Sequence, residues 1–237
     1  LPNPDISNWS AAYECLETLA RNKTPGSIYS LLVRSEEAAY FAWCLAAIAP
    51  WEQLPDEQPK KGGGKPPPPL PTLASREGVR APNKLTDVIT DAHRHRPSIV
   101  ALKDAVRDKA PYLHERDRFG MAVRWWDSRG GHWRLQVLYA LLFDVMTRAP
   151  QTSVEEVLLE WQAFLDHLED LDVMDAPNIK RLLDGTQLAK ALGVKPGKWM
   201  AKALDVVMEW QLRHKGVTDP AEAVEEVRSR REELQIP

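Results

Sequence analysis

Apolar side chains recur along this chain at helical spacing and almost nowhere at the alternate spacing of strands. Ala12, Tyr13, Leu16, Leu19 and Ala20 follow the i, i+3/i+4 rule, and Pro25-Gly26 interrupts it. Ser35 followed by Glu36 and Glu37 reads as an N-cap with a carboxylate-rich first turn, which predicts a helix through Ala49 that Pro50 ends. Helical spacing resumes over Lys84–His95. Pro97-Ser98 reads as a break and a new cap, and a separate helix is expected over Ile99–Lys109. A short helix follows over Asp117–Trp126. The next, Trp133–Arg148, carries Leu135, Leu138, Tyr139, Leu142 and Val145 on its apolar face and is stopped by Pro150. Ser153 and Glu156 have the spacing of a capping box, which opens a helix to about Leu171. Thr186 is expected to cap a short helix ending at Leu192, with Gly193 in the left-handed position beyond it. Asp219-Pro220-Ala221-Glu222 supplies an N-cap, an N1 proline and a capping glutamate for the last helix. The expected fold is all-α: a multi-helix body and tail, with a helical hairpin near the C-terminus and one Pro/Gly-rich surface loop.

That loop is the stretch 55–71, Pro-Asp-Glu-Gln-Pro-Lys-Lys-Gly-Gly-Gly-Lys-Pro-Pro-Pro-Pro-Leu-Pro. Glycine and proline together exclude a packed helix there, and polyproline II is expected after Lys65. A connector between helices and a ligand for a partner domain are both consistent with it. The most plausible boundary lies near Pro150, dividing a helical body, 1–150, from a helical tail, 151–237.

Length and composition narrow the class. The chain has 237 residues, 43% of them apolar, with nine tryptophans, enough for a sizeable core. No apolar run approaches the ~20 residues of a membrane span, and no secretory signal is visible. Residue 1 is Leu, so the chain is expected to begin inside a longer or processed product. Cys15 and Cys44 are too few for a disulfide framework and sit in apolar helical segments, where they read as reduced core residues of an intracellular protein.

The net charge of −3 conceals an uneven distribution. Residues 75–134 hold 13 Lys+Arg against 8 Asp+Glu, residues 151–179 hold none against 8, and residues 180–216 hold 8 against 3. Two basic zones thus flank an acidic helix, so local patches could bind a polyanion that the whole molecule would repel.

The second basic zone carries the densest signal. Gly185 to Gly216 reads as a short helix, a turn at Lys195-Pro196-Gly197 and a long helix starting near Lys198. Lysines 195, 198 and 202 crowd the start of that helix, where the dipole disfavours each cation by about 0.3–1 kcal/mol. An anion at the turn would reverse the penalty, because free N–H groups and Lys190, Lys195, Lys198 and Lys202 would converge on it. A nucleic-acid phosphate fits; a solvated lysine face is the plain alternative. Trp199, Ala203, Val206 and Trp210, with Leu204, Val207 and Met208, form an apolar stripe that reads as core.

Other chemistry is thinner. Arg124, Arg129 and Arg134, interleaved with Trp125, Trp126 and Trp133 around Gly130-Gly131, could contact phosphates or bases, or form a corner with Trp126 and Trp133 in the core. Asp170 and Asp172 end an acidic helix, where i and i+2 side chains do not face each other, so they do not form a metal pair. His93, His95, His114 and His132 are too irregularly spaced for zinc. Neither a P-loop nor a nucleophile elbow occurs.

The run Thr186–Lys215, centred on Leu192-Gly193-Val194-Lys195-Pro196-Gly197-Lys198-Trp199 and continuing into Met208-Glu209-Trp210-Gln211-Leu212, resembles the C-terminal tail of eukaryotic, fungal-like CCA-adding tRNA nucleotidyltransferases. Gly131-His132-Trp133-Arg134-Leu135-Gln136-Val137-Leu138-Tyr139-Ala140 resembles the body more loosely. The resemblance implies a transferase that adds CCA to tRNA 3′ ends from CTP and ATP with Mg, in the cytoplasm, nucleus or mitochondrion. That family's Asp-x-Asp metal pair, Arg-Arg-Asp-Phe motif and Glu-Asp-x-x-Arg motif have no counterpart here; Glu169-Asp170 lacks the arginine. The implied part is therefore body and tail without head and neck: no catalytic residue, no bound cofactor, and a tail that anchors the backbone of the tRNA acceptor and T arms. Two other readings stand beside it, a stand-alone helical nucleic-acid-binding module and a protein-interaction scaffold built on the acidic helix and the proline-rich loop.

Overall fold

A computed structural model describes residues 1–55, 67–128, 130, 132–149 and 151–237. Its described residues contain no strand, so the chain is all-α as its periodicity dictates. The helices are α1 (Trp9–Arg21), α2 (Ile28–Leu32), α3 (Glu36–Ile48), α4 (Leu70–Leu73), α5 (Asn83–Arg107), α6 (Arg116–Trp126), α7 (Trp133–Arg148), α8 (Val154–Asp170), α9 (Gly185–Leu192), α10 (Met200–Arg213) and α11 (Ala221–Ser229). They fall into two compact units, residues 1–110 with 126–167, and residues 111–125 with 168–237.

The first unit is built around α7, which packs against α1, α2, α3 and α5. Its expected face of Leu135, Leu138, Tyr139, Leu142 and Val145 is buried, but so are Val137, Ala140, Leu141 and Met146. A helix that is apolar all round needs neighbours all round, and this one is the central helix of its unit. Cys15 is fully buried in the same core, which pushes its thiol up to about 12.

Side-chain caps mark several helix starts. Ser35 accepts the Ala38 N–H at 3.1 Å and Ser153 accepts the Glu156 N–H at 3.2 Å, both as expected. Asp219 accepts the Ala221 N–H at 3.0 Å, but it stands one residue ahead of the N-cap, which is Pro220 and not the expected Asp219, so the proline precedes α11 instead of opening it. Pro50 does end α3, although the chain tightens into a 3-10 turn over Ala49–Gln53 rather than leaving helical geometry.

The expected break at Pro97 does not occur. Residues Asn83–Arg107 form one helix with Pro97 inside it. The packing on either side holds it through the lost hydrogen bond: Ala92 and Ile99 are fully buried, and His95 bonds Gln136 through Nδ1 at 2.8 Å. Ser98 donates to the His95 carbonyl at 2.9 Å instead of capping a new helix. Of the expected loop 55–71, residues 56–66 lie outside the described residues. Its end departs from expectation, because Leu70 and Pro71 begin α4 and are buried.

The buried charged groups Glu52 and Lys103 of this unit are paired, whereas the Trp51 indole N–H and the Thr86 hydroxyl find no hydrogen-bond partner among the described residues. Glu52, with a buried carboxylate, accepts from Arg96 at 2.7 Å and Tyr139 at 3.0 Å and contacts His93 Nδ1 at 2.9 Å. Lys103, only 2% exposed, meets Glu160 at 3.0 Å and Asp144 at 3.4 Å. Burial pulls the Lys103 ammonium down, but its hydrogen bonds to Asp104 and Glu160 outweigh that and hold it above its ordinary range.

The second unit is organised on α10, which packs against α9 and α11. Its core joins Leu188 and Ala189 of α9, Trp199, Ala203, Val206, Val207 and Trp210 of the expected stripe, and Ala223 and Val227 of α11, with Leu204 partly buried against them.

Candidate nucleic-acid interface

The hairpin α9–turn–α10 is set from both sides of its turn. Asp184, not Thr186, is the N-cap of α9: its carboxylate accepts the Gln187 N–H at 2.8 Å and Gln187 accepts the Asp184 N–H at 2.9 Å. An aspartate two positions earlier completes a reciprocal box that Thr186 cannot. At the other end Gly193 takes φ +69°, donating to Lys190, while Val194 donates to Ala189. These two bonds make a Schellman motif, which turns the chain out of α9.

The turn itself is closed by Trp199. Its indole packs in the core at 6% exposure, and Nε1–H reaches back to the Lys195 carbonyl at 3.3 Å. A Cβ on Gly197 would stand 3.0 Å from that ring, so a side chain there would press on the indole and the ring would have to give by a few tenths of an ångström. The long helix starts at Met200 with Trp199 as its N-cap residue, so Lys198 stands just ahead of the helix rather than inside its first turn. Lys202 alone lies in that turn. Met200 N–H bonds the Gly197 carbonyl at 3.2 Å, whereas Ala201 and Lys202 N–H find no acceptor among the described residues.

Lys190, Lys195, Pro196, Gly197, Lys198 and Lys202 are all exposed. None of the four lysines makes an ion pair among the described residues. This stands against the rest of the second unit, where Arg181 pairs with Asp205, Arg213 with Asp117 and Glu226, Lys215 with Asp172, and Arg228 with Glu225. Glu233 is held below the usual carboxylate range chiefly by its hydrogen bond from Arg230, with the Lys202 charge a smaller contributor. Lys190 differs from the others in lying in the last turn of α9, where a cation suits the dipole.

The arginines of the second basic-aromatic segment are placed otherwise. Arg124 donates to the carbonyls of Ala176 and Ile179, the latter at 2.9 Å, and burial lowers its pKa. Arg134 donates to the Leu31 carbonyl at 2.8 Å and lies 4.6 Å over the Trp133 ring. Arg129 lies outside the described residues. Trp126 and Trp133 are core residues, 0% and 4% exposed. Asp172 accepts from Lys215 at 2.8 Å and from Arg116 at 3.2 Å, and the Lys215 bond chiefly lowers its pKa; it ties the chain after α8.

Among the described residues, no helix is long and apolar enough to cross a membrane. No family model and no solved structure matches the chain. Curated relatives do. The chain is 48% identical to "Nucleotidyltransferase lcsQ" of Purpureocillium lilacinum, over 99% of its own length and 45% of that protein. It is 30% identical to "tRNA nucleotidyltransferase cca2" of Schizosaccharomyces pombe over 35% of its length and 17% of the relative. With "tRNA nucleotidyltransferase cca1" of the same yeast the identity is 23%, over 76% of the chain and 35% of the relative. The chain thus spans less than half the length of each of these relatives. Its homologues are nucleotidyltransferases, and along nearly its whole length it corresponds to part of a fungal one.

Proposed function

We propose that this chain is the tRNA-gripping part of a CCA-adding nucleotidyltransferase, whose complete form extends tRNA 3′ ends from CTP and ATP with Mg. The carrying observation is the group of exposed lysines at the Pro196-Gly197 turn that have no carboxylate partner among the described residues, in a unit where most of the other cations are paired. Such a group attracts phosphate without reading base edges. A-form RNA suits it, since its grooves give side chains little sequence access. The names of the yeast relatives supply the substrate class. On this reading Lys195, Lys198 and Lys202 hold the backbone of the acceptor and T arms, Lys190 supports them, and the chemistry belongs to head and neck regions outside this chain. The chain alone adds no nucleotide.

The test is a filter-binding comparison of tRNA with duplex DNA of equal length. Preference for tRNA, lost in Lys195→Glu/Lys198→Glu, supports the assignment. Equal affinity for both acids identifies a general nucleic-acid module instead, and no retention of either at low salt removes the hairpin from RNA binding. Incubation with tRNA, CTP, ATP and Mg should give no extension; any extension overturns the division of labour.

A further inference from the structure

The first unit carries an open apolar groove of about 360 Å³ between the last turns of α1, the start of α2 and the outer face of α8. Leu19, Ile28, Tyr29, Leu158 and Leu159 give it an apolar lining. Leu159 is 71% exposed, an unusual setting for a leucine whose neighbours on the same face also line the groove. The groove is preformed. Gln162 of α8 accepts the Ile28 N–H at 3.1 Å and donates to the Gly26 carbonyl at 2.9 Å, which fixes α8 against the start of α2.

Its α8 wall is acidic. Glu155 lines the groove and Glu156 stands one position further along α8; both are exposed and neither has an ion-pair partner among the described residues. Residues 151–179 contain no lysine or arginine to neutralise them. On the α1–α2 side Arg21 is bonded to Glu17 at 2.6 Å, and Lys23 lies 5.9 Å over the Tyr29 ring, away from α8 in sequence and on the opposite wall from Glu155. Such a surface repels nucleic acid and anionic lipid, and it separates in chemistry from the lysine hairpin.

We propose that this groove docks a cationic amphipathic helix of a partner protein. Aliphatic side chains at i, i+3 and i+4 of that helix fill the slot against Leu158 and Leu159, and its lysines or arginines meet Glu155 and Glu156. The apolar floor supplies affinity, and the carboxylates supply orientation and on-rate. Because Gln162 has already fixed the walls, little ordering is lost on binding.

Fluorescence anisotropy of the whole chain with a labelled leucine–lysine amphipathic helix of about four turns tests this. Binding should weaken about tenfold in Leu159→Ser and again in Glu155→Lys/Glu156→Lys, while Asp108→Lys, outside the groove, leaves it unchanged. A leucine–glutamate helix of the same pattern should not bind. All these side chains are exposed, so far-UV dichroism should stay as in the parent chain. Failure to bind, or equal loss in Asp108→Lys, overturns the proposal by reducing it to unspecific charge attraction. Sedimentation showing a parent dimer that Leu159→Ser disperses also overturns it, by giving the groove to a second copy of this chain.

Discussion

The indole N–H of Trp199 donates to the carbonyl of Lys195 at 3.3 Å, so the residue that seals the hairpin core also closes the turn on which the lysines are mounted. Truncating it should therefore act on stability and on binding together. Trp199→Ala should cost about 3–5 kcal/mol in urea unfolding, the usual loss for a buried tryptophan. Gly197→Ala should separate the two effects. Its methyl would press on the indole at 3.0 Å and shift the turn, at a stability cost of about 1 kcal/mol, while tRNA affinity falls several-fold. Unchanged tRNA affinity in Gly197→Ala would show that the turn geometry does not matter to RNA.

The lysines should act as phosphate contacts and not as readers of sequence. Each neutralisation, Lys195→Ala, Lys198→Ala or Lys202→Ala, should lower the slope of log affinity against log salt by about 1. It should weaken all tRNA species alike. A variant that changes preference among tRNAs while keeping the salt slope would contradict backbone recognition.

Acid should find a weak point at Glu160. Its hydrogen bond from Arg148, with further help from Lys103, holds the carboxyl down to about 2 against an ordinary 4.5. A depressed carboxylate contributes stability above its unfolded pKa and loses it as pH falls through the folded one. Melting temperature should thus drop between about pH 4.5 and pH 2, and Glu160→Gln should flatten that part of the profile. At neutral pH the same variant should be less stable, because Lys103 stays buried with one charge fewer to meet.

Ser98 is the acceptor for a buried tryptophan: Trp126 Nε1–H reaches its hydroxyl at 2.8 Å, and Trp126 is fully buried. Ser98→Ala should cost about 1–3 kcal/mol in urea unfolding, since it strands an indole N–H away from water. Ser98→Thr, which keeps the hydroxyl, should recover most of it.

The all-α class, most helix spans and the core stripe of α10 are legible in the sequence, because each follows from residue spacing at 3.6 per turn and from local caps such as Ser35 and Ser153. The cluster of lysines around the turn is legible in the same way, although only Lys202 lies in the first turn of α10. Other features are not. Pro97 reads locally as a break, yet the helix continues because buried neighbours on both sides outweigh one lost hydrogen bond. The full burial of α7, the tie of Arg124 to the carbonyls of Ala176 and Ile179, and the groove beside Leu159 depend on residues far apart in sequence.

What the chain by itself determined is therefore the set of helices and the sign of charge each one carries, since both depend on neighbours within a turn or two. Which charges stay free was decided only by tertiary structure. Arg213 and Lys215 find carboxylates brought to them by other segments, while Lys195, Lys198 and Lys202 find none among the described residues. An ion pair needs approach within a few ångströms, and spacing along the chain cannot fix such a distance between residues that only folding brings together.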